Sequence, residues 1–226
     1  MASRAGARAN IRAVITDVRP TLIVGNDESG MDPDAKAFNM FFTKTDASIS
    51  PAIGAVQRPE HVALLDYEIE LALVFRRAVR GPVAVTSASL KDYVIAVAIA
   101  NDVSARDVQL PQTQFFKGKS YRGFCPIGPW LTVLDPEEFG LLDRLDLRLT
   151  VNGVTRQSDN TANLLFKPAE TISELSTFAD IAARDPLLSK RRASQSWMRW
   201  RRKLAGLNRP LDHDGVMPVR GERIGV

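Results

Sequence analysis

The chain has 226 residues, 45% hydrophobic and 25% charged, which suits one globular domain with a buried core. Its net charge of +4 arises in residues 181–226, where eleven basic side chains face four acidic ones, whereas residues 1–180 carry nineteen against twenty-two. This slightly acidic body argues against a nucleic-acid-binding protein, and no apolar stretch is long enough to span a bilayer. A single cysteine excludes an internal disulfide and, without a secretion signal, predicts a cytoplasmic protein.

The first half of the chain reads as strands separated by loops. Strands are predicted over 11–18 and 38–43, with a turn-rich loop over 25–37 between them. A third strand over 66–75 ends in charge, and a short helix over 87–93 follows it. Residues 94–100 are continuously apolar and rich in β-branched side chains, which predicts a strand buried on both faces.

The second half contains a clear hairpin signal and one helix. Asn152-Gly153 stands between an alternating strand over 145–151 and a second arm over 154–158, which predicts a two-residue turn. A helix over 168–178 is expected to pack Ile172, Leu175 and Phe178 inward. The body is therefore predicted to be an α+β, strand-rich fold with short helices.

Two acidic residues interrupt the third strand near its start. Alternate residues of a strand share a face, so Glu68 and Glu70 point the same way. Two carboxylates side by side against a core repel each other unless a cation lies between them. Taken alone, the strand leaves two interpretations open: a site for a divalent metal, or a solvated face of an edge strand.

Polar residues follow the buried strand over 94–100. Asp102 is a natural third carboxylate for the pair, and Arg106 could clamp a substrate carboxylate. Lys119, placed just after a glycine, could stabilise negative charge or move a proton. Each residue also has an ordinary interpretation, as a turn cap, a surface ion pair or a solvated lysine, but together they favour a metal site. With two histidines and one cysteine in the chain, carboxylates would hold that metal, which favours magnesium, manganese or calcium.

Four strings, LDYEIEL, IANDVSARDVQ, FFKGKSYRGFCPIGPW and VNGVTRQ, resemble in order and spacing the fumarylacetoacetate hydrolase family, over about residues 37–178. The resemblance implies a mixed β-roll with short peripheral helices and a homodimer. It also implies a Mg²⁺, Mn²⁺ or Ca²⁺ ion and a 2-oxo or β-diketo acid as substrate. Family members hydrolyse carbon–carbon bonds, hydrate, decarboxylate or tautomerise such acids.

The resemblance also implies roles for individual residues. Glu68, Glu70 and Asp102 would bind the metal. Arg106 and Gln109 would contact the substrate, and Lys119 would stabilise the developing enolate. Cys125 lies in a Cys-Pro-x-Gly-Pro turn of the family, which favours a structural role over a nucleophilic one.

The N-terminal region departs from the family pattern. Many members carry a His-x-x-Glu pair on a lid, where the histidine activates water. Residues 1–36 are interpreted as this lid-like segment, with Glu28 in the place of the glutamate and Gly25 in that of the histidine. Glu28 is therefore a candidate catalytic residue, although an exposed loop acid is the ordinary interpretation. Loss of the histidine weakens hydrolysis relative to enolisation.

The C-terminal region departs further. The expected Pro-Gly-Asp turn and Thr-Gly-Thr-Pro loop are missing, so the chain is divided into a catalytic domain over 37–180 and a basic, poorly ordered tail over 181–226. The tail is either a cationic module or the product of a shifted or truncated reading frame, and we favour the second. The roll would then lack its C-terminal strands.

The sequence thus predicts a divalent-metal-dependent hydrolase, lyase or isomerase of 2-oxo or β-diketo acids. The alternative is a catalytically impaired remnant whose basic tail binds an anionic surface.

Overall fold

The computed structural model describes residues 14–19, 38–112, 114–164, 166–189 and 224–225, with backbone alone for 14–19, 38, 40 and 224–225. The early strand predicted over 11–18 is found at Val14–Arg19. Among the described residues, none of the helices has the length and apolar character that crossing a membrane requires.

The described residues form twelve strands and three short α-helices. The strands are β1 (Val14–Arg19), β2 (Phe38–Thr43), β3 (Ile49–Pro51), β4 (Leu65–Asp66), β5 (Ile69–Phe75), β6 (Val94–Asn101), β7 (Ser104–Ala105), β8 (Cys125–Val133), β9 (Asp146–Val151), β10 (Val154–Asn160), β11 (Pro186–Ser189) and β12 (Ile224–Gly225). The α-helices are α1 (Arg106–Gln109), α2 (Phe116–Lys119) and α3 (Pro168–Leu175). Short 3-10 helices lie at Asp46–Ser48, Leu90–Asp92, Pro136–Asp143 and Thr161–Asn163.

Seven of the strands form one mixed sheet in the order β2-β1-β11-β5-β6-β8-β3. Neighbouring strands are antiparallel except β1 with β11 and β3 with β8, which are parallel. Smaller sheets join β10, β9 and β12, and β4 with β7. The predicted strand-rich α+β class with a mixed sheet is confirmed.

The main core lies on one face of β5. Ile69, Leu71, Leu73 and Phe75 alternate along the strand and are almost completely buried against the β9–β10 hairpin and α3. Ala72 points to the opposite face, where a small cluster contains Ala98, Ala100, Cys125 and Leu188. Burial on both faces explains why β5 and β6 read as nearly continuous apolar runs.

The predicted hairpin is confirmed, because β9 and β10 pair antiparallel around Asn152 and Gly153. Both turn residues have positive φ, 52° and 78°, as a two-residue hairpin turn requires. The helix predicted over 87–93 is instead a turn followed by the 3-10 helix at Leu90–Asp92.

The third helix is shorter than predicted. It ends at Leu175, and Phe178 is 62% exposed in the following turn, so the prediction that it packs inward was wrong. Ile172 and Leu175 are buried as expected. The ring of Phe178 makes an edge contact with that of Phe41, with 5.2 Å between centroids. Ser176 and Thr177 hydrogen-bond their side chains to carbonyls of the preceding turn, which favours ending the helix there.

The chain continues into the large sheet beyond residue 180, where the basic tail was expected to begin. Ile181 bridges to Val79, and β11 then enters the middle of the large sheet, where Leu187 and Leu188 are fully buried. Four residues are too few to show a periodic pattern, so the sequence did not reveal this strand next to the arginine-rich residues that follow. The strand β12 adds a short edge to β9.

Candidate active site

The site forms where two antiparallel ladders are interrupted at the same level. β5 pairs with β6, and β4 pairs with β7. The link from β4 to β5, which contains Glu68, therefore lies opposite the link from β6 to β7, which contains Asp102. Asp102 N donates to Glu68 O at 2.8 Å, and Glu68 N donates to Asn101 Oδ1 at 2.9 Å. These bonds fix Glu68 and Asp102 face to face although neither residue belongs to a strand.

Three carboxylates meet at this interruption. Glu68, Glu70 and Asp102 each offer one oxygen, and the three oxygens lie within 4.8 Å of one another. Glu68 is 5% exposed, and Glu70 and Asp102 are fully buried. Charged groups are buried at this depth when they are paired or bind metal, and a set of carboxylate oxygens suits the hard cations Mg²⁺, Mn²⁺ and Ca²⁺. The residues present therefore fit a divalent cation.

Arg106 joins the carboxylates through its planar guanidinium. Its Nη2 lies 2.7 Å from Glu68 Oε1 and 2.7 Å from Asp66 Oδ2, and its Nε donates to Asp66 Oδ2 at 2.8 Å. Its Nη1 donates to Gln109 Oε1 at 2.8 Å, one helical turn away on α1. Burial by itself would lower the pKa of Arg106, but Glu68 and then Asp66 outweigh it and raise the pKa above its ordinary value.

Lys119 reaches the same carboxylates from the other side. Its fully buried Nζ contacts Glu68 Oε2 and Asp102 Oδ2, and it lies 5.5 Å from the centre of the Phe42 ring. Lys119 closes the four-residue helix α2, which packs against α1. The neighbouring Lys117 is exposed, so the geometry selects one of the two lysines of this motif.

The structure brings together six of the seven predicted site residues: Glu68, Glu70, Asp102, Arg106, Gln109 and Lys119. Glu28, the remaining candidate, lies outside the described residues. Gln109 is buried, and its Nε2 has no hydrogen-bond partner in the described part of the chain. An unsatisfied donor of this kind suits a ligand oxygen. Arg106 was expected to hold a substrate carboxylate, but it contacts Asp66, Glu68 and Gln109 of its own chain.

Sequence reasoning missed three residues whose side chains contact the predicted site residues. Lys44 contacts Asp102, Asp66 contacts Arg106, and Ser104 Oγ donates to Glu68 Oε2 at 3.2 Å. The signal for Asp66 was present, since Asp66, Glu68 and Glu70 alternate. Lys44 follows a predicted strand but stands more than fifty positions from its partner, so no local pattern marks it.

Cys125 begins β8 and is fully buried beside the site. Burial raises the pKa of its thiol to about 12, with Lys44 lowering and Asp102 raising it to smaller extents. A thiol in this condition is a poor nucleophile, which supports the structural role predicted for it.

The family model described as fumarylacetoacetate (FAA) hydrolase C-terminal matches residues 9–189 of this chain. The chain belongs to the fumarylacetoacetate hydrolase family. Residues 181–189, assigned above to the tail, are inside the family match, in agreement with the position of β11 in the sheet.

Curated members of the fumarylacetoacetate hydrolase family include enzymes of known reaction. The chain is 34% identical over 163 residues to oxaloacetate tautomerase YisK of Bacillus subtilis, covering 70% of this chain and 51% of that protein. It is 33% identical over 151 residues to 2,4-didehydro-3-deoxy-L-rhamnonate hydrolase of a Sphingomonas species, covering 66% and 51%. The chain thus spans about half the length of these relatives.

Solved structures share the fold. A 5-carboxymethyl-2-hydroxymuconate delta-isomerase from Mycobacterium smegmatis superimposes with a TM-score of 0.66 at 26% identity, covering 80% of this chain and 67% of the other. A protein from Mycobacterium abscessus gives a TM-score of 0.67 at 27% identity, covering 81% and 68%.

Proposed function

We propose that this family member is a divalent-metal-dependent enzyme that acts on a 2-oxo or β-diketo acid, with tautomerisation favoured among the family's reactions. The observation that carries the proposal is the meeting of Glu68, Glu70 and Asp102 with the buried ammonium group of Lys119. Tautomerisation requires only that one proton be removed from C3 and one be added to the 2-oxo oxygen, with no carbon–carbon bond broken. The similarity to an oxaloacetate tautomerase supports the same choice.

Glu68, Glu70 and Asp102 would hold the cation. Because their ligand atoms are carboxylate oxygens, Mg²⁺, Mn²⁺ or Ca²⁺ is the expected ion. A bound divalent cation supplies Lewis acidity, which polarises the 2-oxo group of a ligand and makes the C3 proton more acidic. Since the three carboxylates are buried, such a cation would act in a region of low dielectric constant, where its charge has a large effect.

The residues of the chain divide the remaining work. Lys119 Nζ contacts Glu68 Oε2 and Asp102 Oδ2, so it lies within reach of a ligand bound at these carboxylates. Its ammonium group would donate a hydrogen bond to the negative charge that develops on the 2-oxo oxygen, while the C3 proton passes to solvent water and solvent water returns a proton to that oxygen to complete the enol. Gln109 Nε2 would donate to the ligand carboxylate, held in position by the bond from Arg106 to Gln109 Oε1.

The assembly and the C-terminus belong to the same proposal. We expect a homodimer, because Trp130, Leu131 and Val133 of β8 are 80%, 58% and 62% exposed and give an apolar strand end that a second copy could cover. We expect it in the cytoplasm, because a single cysteine fits a reducing compartment. Light scattering on the purified protein would give the mass. A shifted reading frame would concern residues 190–226 alone, and translation of the other frames past codon 189 would reveal a Thr-Gly-Thr-Pro string.

Turnover tests the proposal directly. The rate of interconversion of enol and keto oxaloacetate can be followed by ultraviolet absorbance. It is measured first with chelator-treated protein and again after Mg²⁺, Mn²⁺ or Ca²⁺ is added to that protein. Metal should restore the accelerated tautomerisation, and Lys119→Met should lower kcat by roughly 10²- to 10³-fold, the usual cost of losing one donor to a developing oxyanion. Lys117→Met, which changes an exposed lysine two positions away, should leave kcat unaltered.

Equal rates for the two lysine variants would overturn the role of Lys119. Metal binding without turnover of oxaloacetate or of β-diketo acids would instead favour the catalytically impaired remnant. Salt-sensitive binding to anionic vesicles, lost on removal of residues 190–226, would then identify the surface-binding alternative.

A further inference from the structure

Lys44 is the buried basic residue of the site that the proposed reaction does not use. Its side chain is fully buried, and its Nζ lies 2.6 Å from Asp102 Oδ1 and 2.9 Å from the carbonyl oxygen of Phe124. It follows the last residue of β2, so it reaches Asp102 from a part of the chain fifty-eight positions away. A buried lysine with two such acceptors is held in one orientation.

The chain around this lysine is tied to the loop opposite by three further bonds. Thr45 Oγ1 donates to Ser120 O at 3.1 Å, Ser50 Oγ donates to Gly123 O at 3.1 Å, and Gly123 N donates to Ala47 O at 3.0 Å. The position of the ammonium group is therefore fixed by its backbone as well as by its acceptors.

The two oxygens of Asp102 face different groups. Oδ1 contacts Lys44 Nζ, whereas Oδ2 contacts Lys119 Nζ, which also contacts Glu68 Oε2. A cation held among Glu68, Glu70 and Asp102 would take the position beside Oδ2 and Glu68 Oε2 where Lys119 Nζ lies, whereas Lys44 Nζ is anchored away from the three carboxylates by Phe124 O. Lys44 occupies Oδ1, so Asp102 can offer that cation one oxygen and not two.

We propose that Lys44 is a positioning residue that holds Asp102 to one-oxygen ligation and thereby selects Mg²⁺ or Mn²⁺ over Ca²⁺. The proposal rests on the metal site of the proposed function. Ca²⁺ takes six to eight oxygen ligands and accepts two-oxygen carboxylates readily, whereas Mg²⁺ requires near-octahedral geometry with few ligand atoms from each group. Limiting Asp102 to one oxygen lowers the number of protein ligands and so disfavours the larger ion.

A ratio of affinities separates this effect from simple charge. Removing Lys44 also removes a positive charge near the cation, and this change in repulsion acts alike on all divalent ions of the same charge. It therefore cancels in the ratio of the Ca²⁺ and Mg²⁺ dissociation constants. A change in ligand number does not cancel, because the two ions respond to it differently.

The experiment is calorimetric titration of chelator-treated protein with Mg²⁺, Mn²⁺ and Ca²⁺, for the unaltered chain, Lys44→Met and Ser50→Ala. In Lys44→Met the ratio Kd(Ca²⁺)/Kd(Mg²⁺) should fall by roughly tenfold, the lower end of the effects seen when a partner of a metal ligand is removed. Ser50→Ala removes the hydrogen bond from Ser50 Oγ to Gly123 O, which involves no carboxylate. Its ratio of dissociation constants should match that of the unaltered chain.

An unchanged ratio in Lys44→Met, including equal losses of affinity for every ion, would overturn the proposal. Failure of the unaltered chain to bind any of the three ions would reject the metal site itself, and so the proposed function, before Lys44 is in question. Where Lys44→Met does not fold, Lys44→Gln takes its place, because the amide still fills the space but holds Asp102 less firmly. A smaller fall of the ratio is then expected, and no fall contradicts the assignment.

Discussion

Gly118 of α2 lies directly against Gln109 of α1. A Cβ atom built on Gly118 would stand 2.7 Å from Gln109 Cβ and 2.9 Å from Gln109 N, closer than carbon and nitrogen atoms approach without a bond. Glycine is thus required where the two short helices cross. The same crossing positions Arg106 and Lys119, so the contact links the backbone to the chemistry of the site.

Gly118→Ala should separate the two helices and displace Lys119 from the carboxylates. The added methyl group meets backbone atoms, which cannot turn away as a side chain can, so a loss of about 1 to 3 kcal/mol in the free energy of unfolding is expected. Urea unfolding measures the loss, and kcat should fall further than stability alone explains. Gly140→Ala is the matched control, because nothing lies within 4 Å of its Cβ position. Equal behaviour of the two variants would contradict the close contact.

Arg106→Met should destabilise the protein strongly. The change leaves Asp66 and Glu68 buried without their guanidinium partner, and removing one member of a buried ion pair costs about 3 to 5 kcal/mol. Arg106→Lys keeps the charge but loses the planar guanidinium group. Its free energy of unfolding, measured in urea, should therefore lie between those of the unaltered chain and of Arg106→Met.

Arg148→Met supplies the comparison for this series. Arg148 is exposed on β9, and its replacement should change the free energy of unfolding by no more than about 0.5 kcal/mol. A similar loss in Arg106→Met and Arg148→Met would show that the buried network contributes nothing measurable.

How far the sequence predicts this protein depends on the distance over which each feature is encoded. The strands β2 and β6 and the β9–β10 hairpin were predicted closely, because alternation, β-branched runs and Asn152-Gly153 are local signals. The strand β11 was not predicted. Its four residues carry no period, and only pairing with β1 and β5 makes it a strand.

The candidate site divides in the same way. Glu68, Glu70 and Asp102 were found because two of them alternate and the third follows a buried strand. Lys44 was not found, since its partner is fixed by the sheet and not by spacing. The contacts of Arg106 with Asp66 and Glu68 show the limit of residue-type reasoning: the sequence indicated a carboxylate partner but could not tell a substrate's from the protein's own.

Divalent cations should stabilise the native protein, and Glu70→Gln should abolish that effect. A ligand that binds the folded state alone adds about 2.7 kcal/mol when its concentration is 100 times its Kd. For a chain of this size each kcal/mol raises the melting temperature by about 2 to 4 °C. Differential scanning fluorimetry with Mg²⁺ or Mn²⁺ measures the rise, and Glu137→Gln, an exposed glutamate, should retain it. A full rise in Glu70→Gln would remove Glu70 from the ligand set.

Cys125 should resist thiol reagents in the folded protein. Its side chain is fully buried, and burial raises the pKa of the thiol to about 12, so the thiolate is scarce at pH 8 to 9, where an exposed cysteine reacts readily. Labelling with iodoacetamide at pH 8.5 should therefore proceed only as fast as the protein opens. The same reaction in urea should be complete within the ordinary time for a free thiol, since the raised pKa belongs to the folded state. Cys125 belongs to the cluster on the face of the sheet opposite the main core, which also contains Leu188 of β11, so its protection also reports whether β11 is in place. Rapid labelling of the native protein would contradict both the burial of the thiol and the central position of that strand.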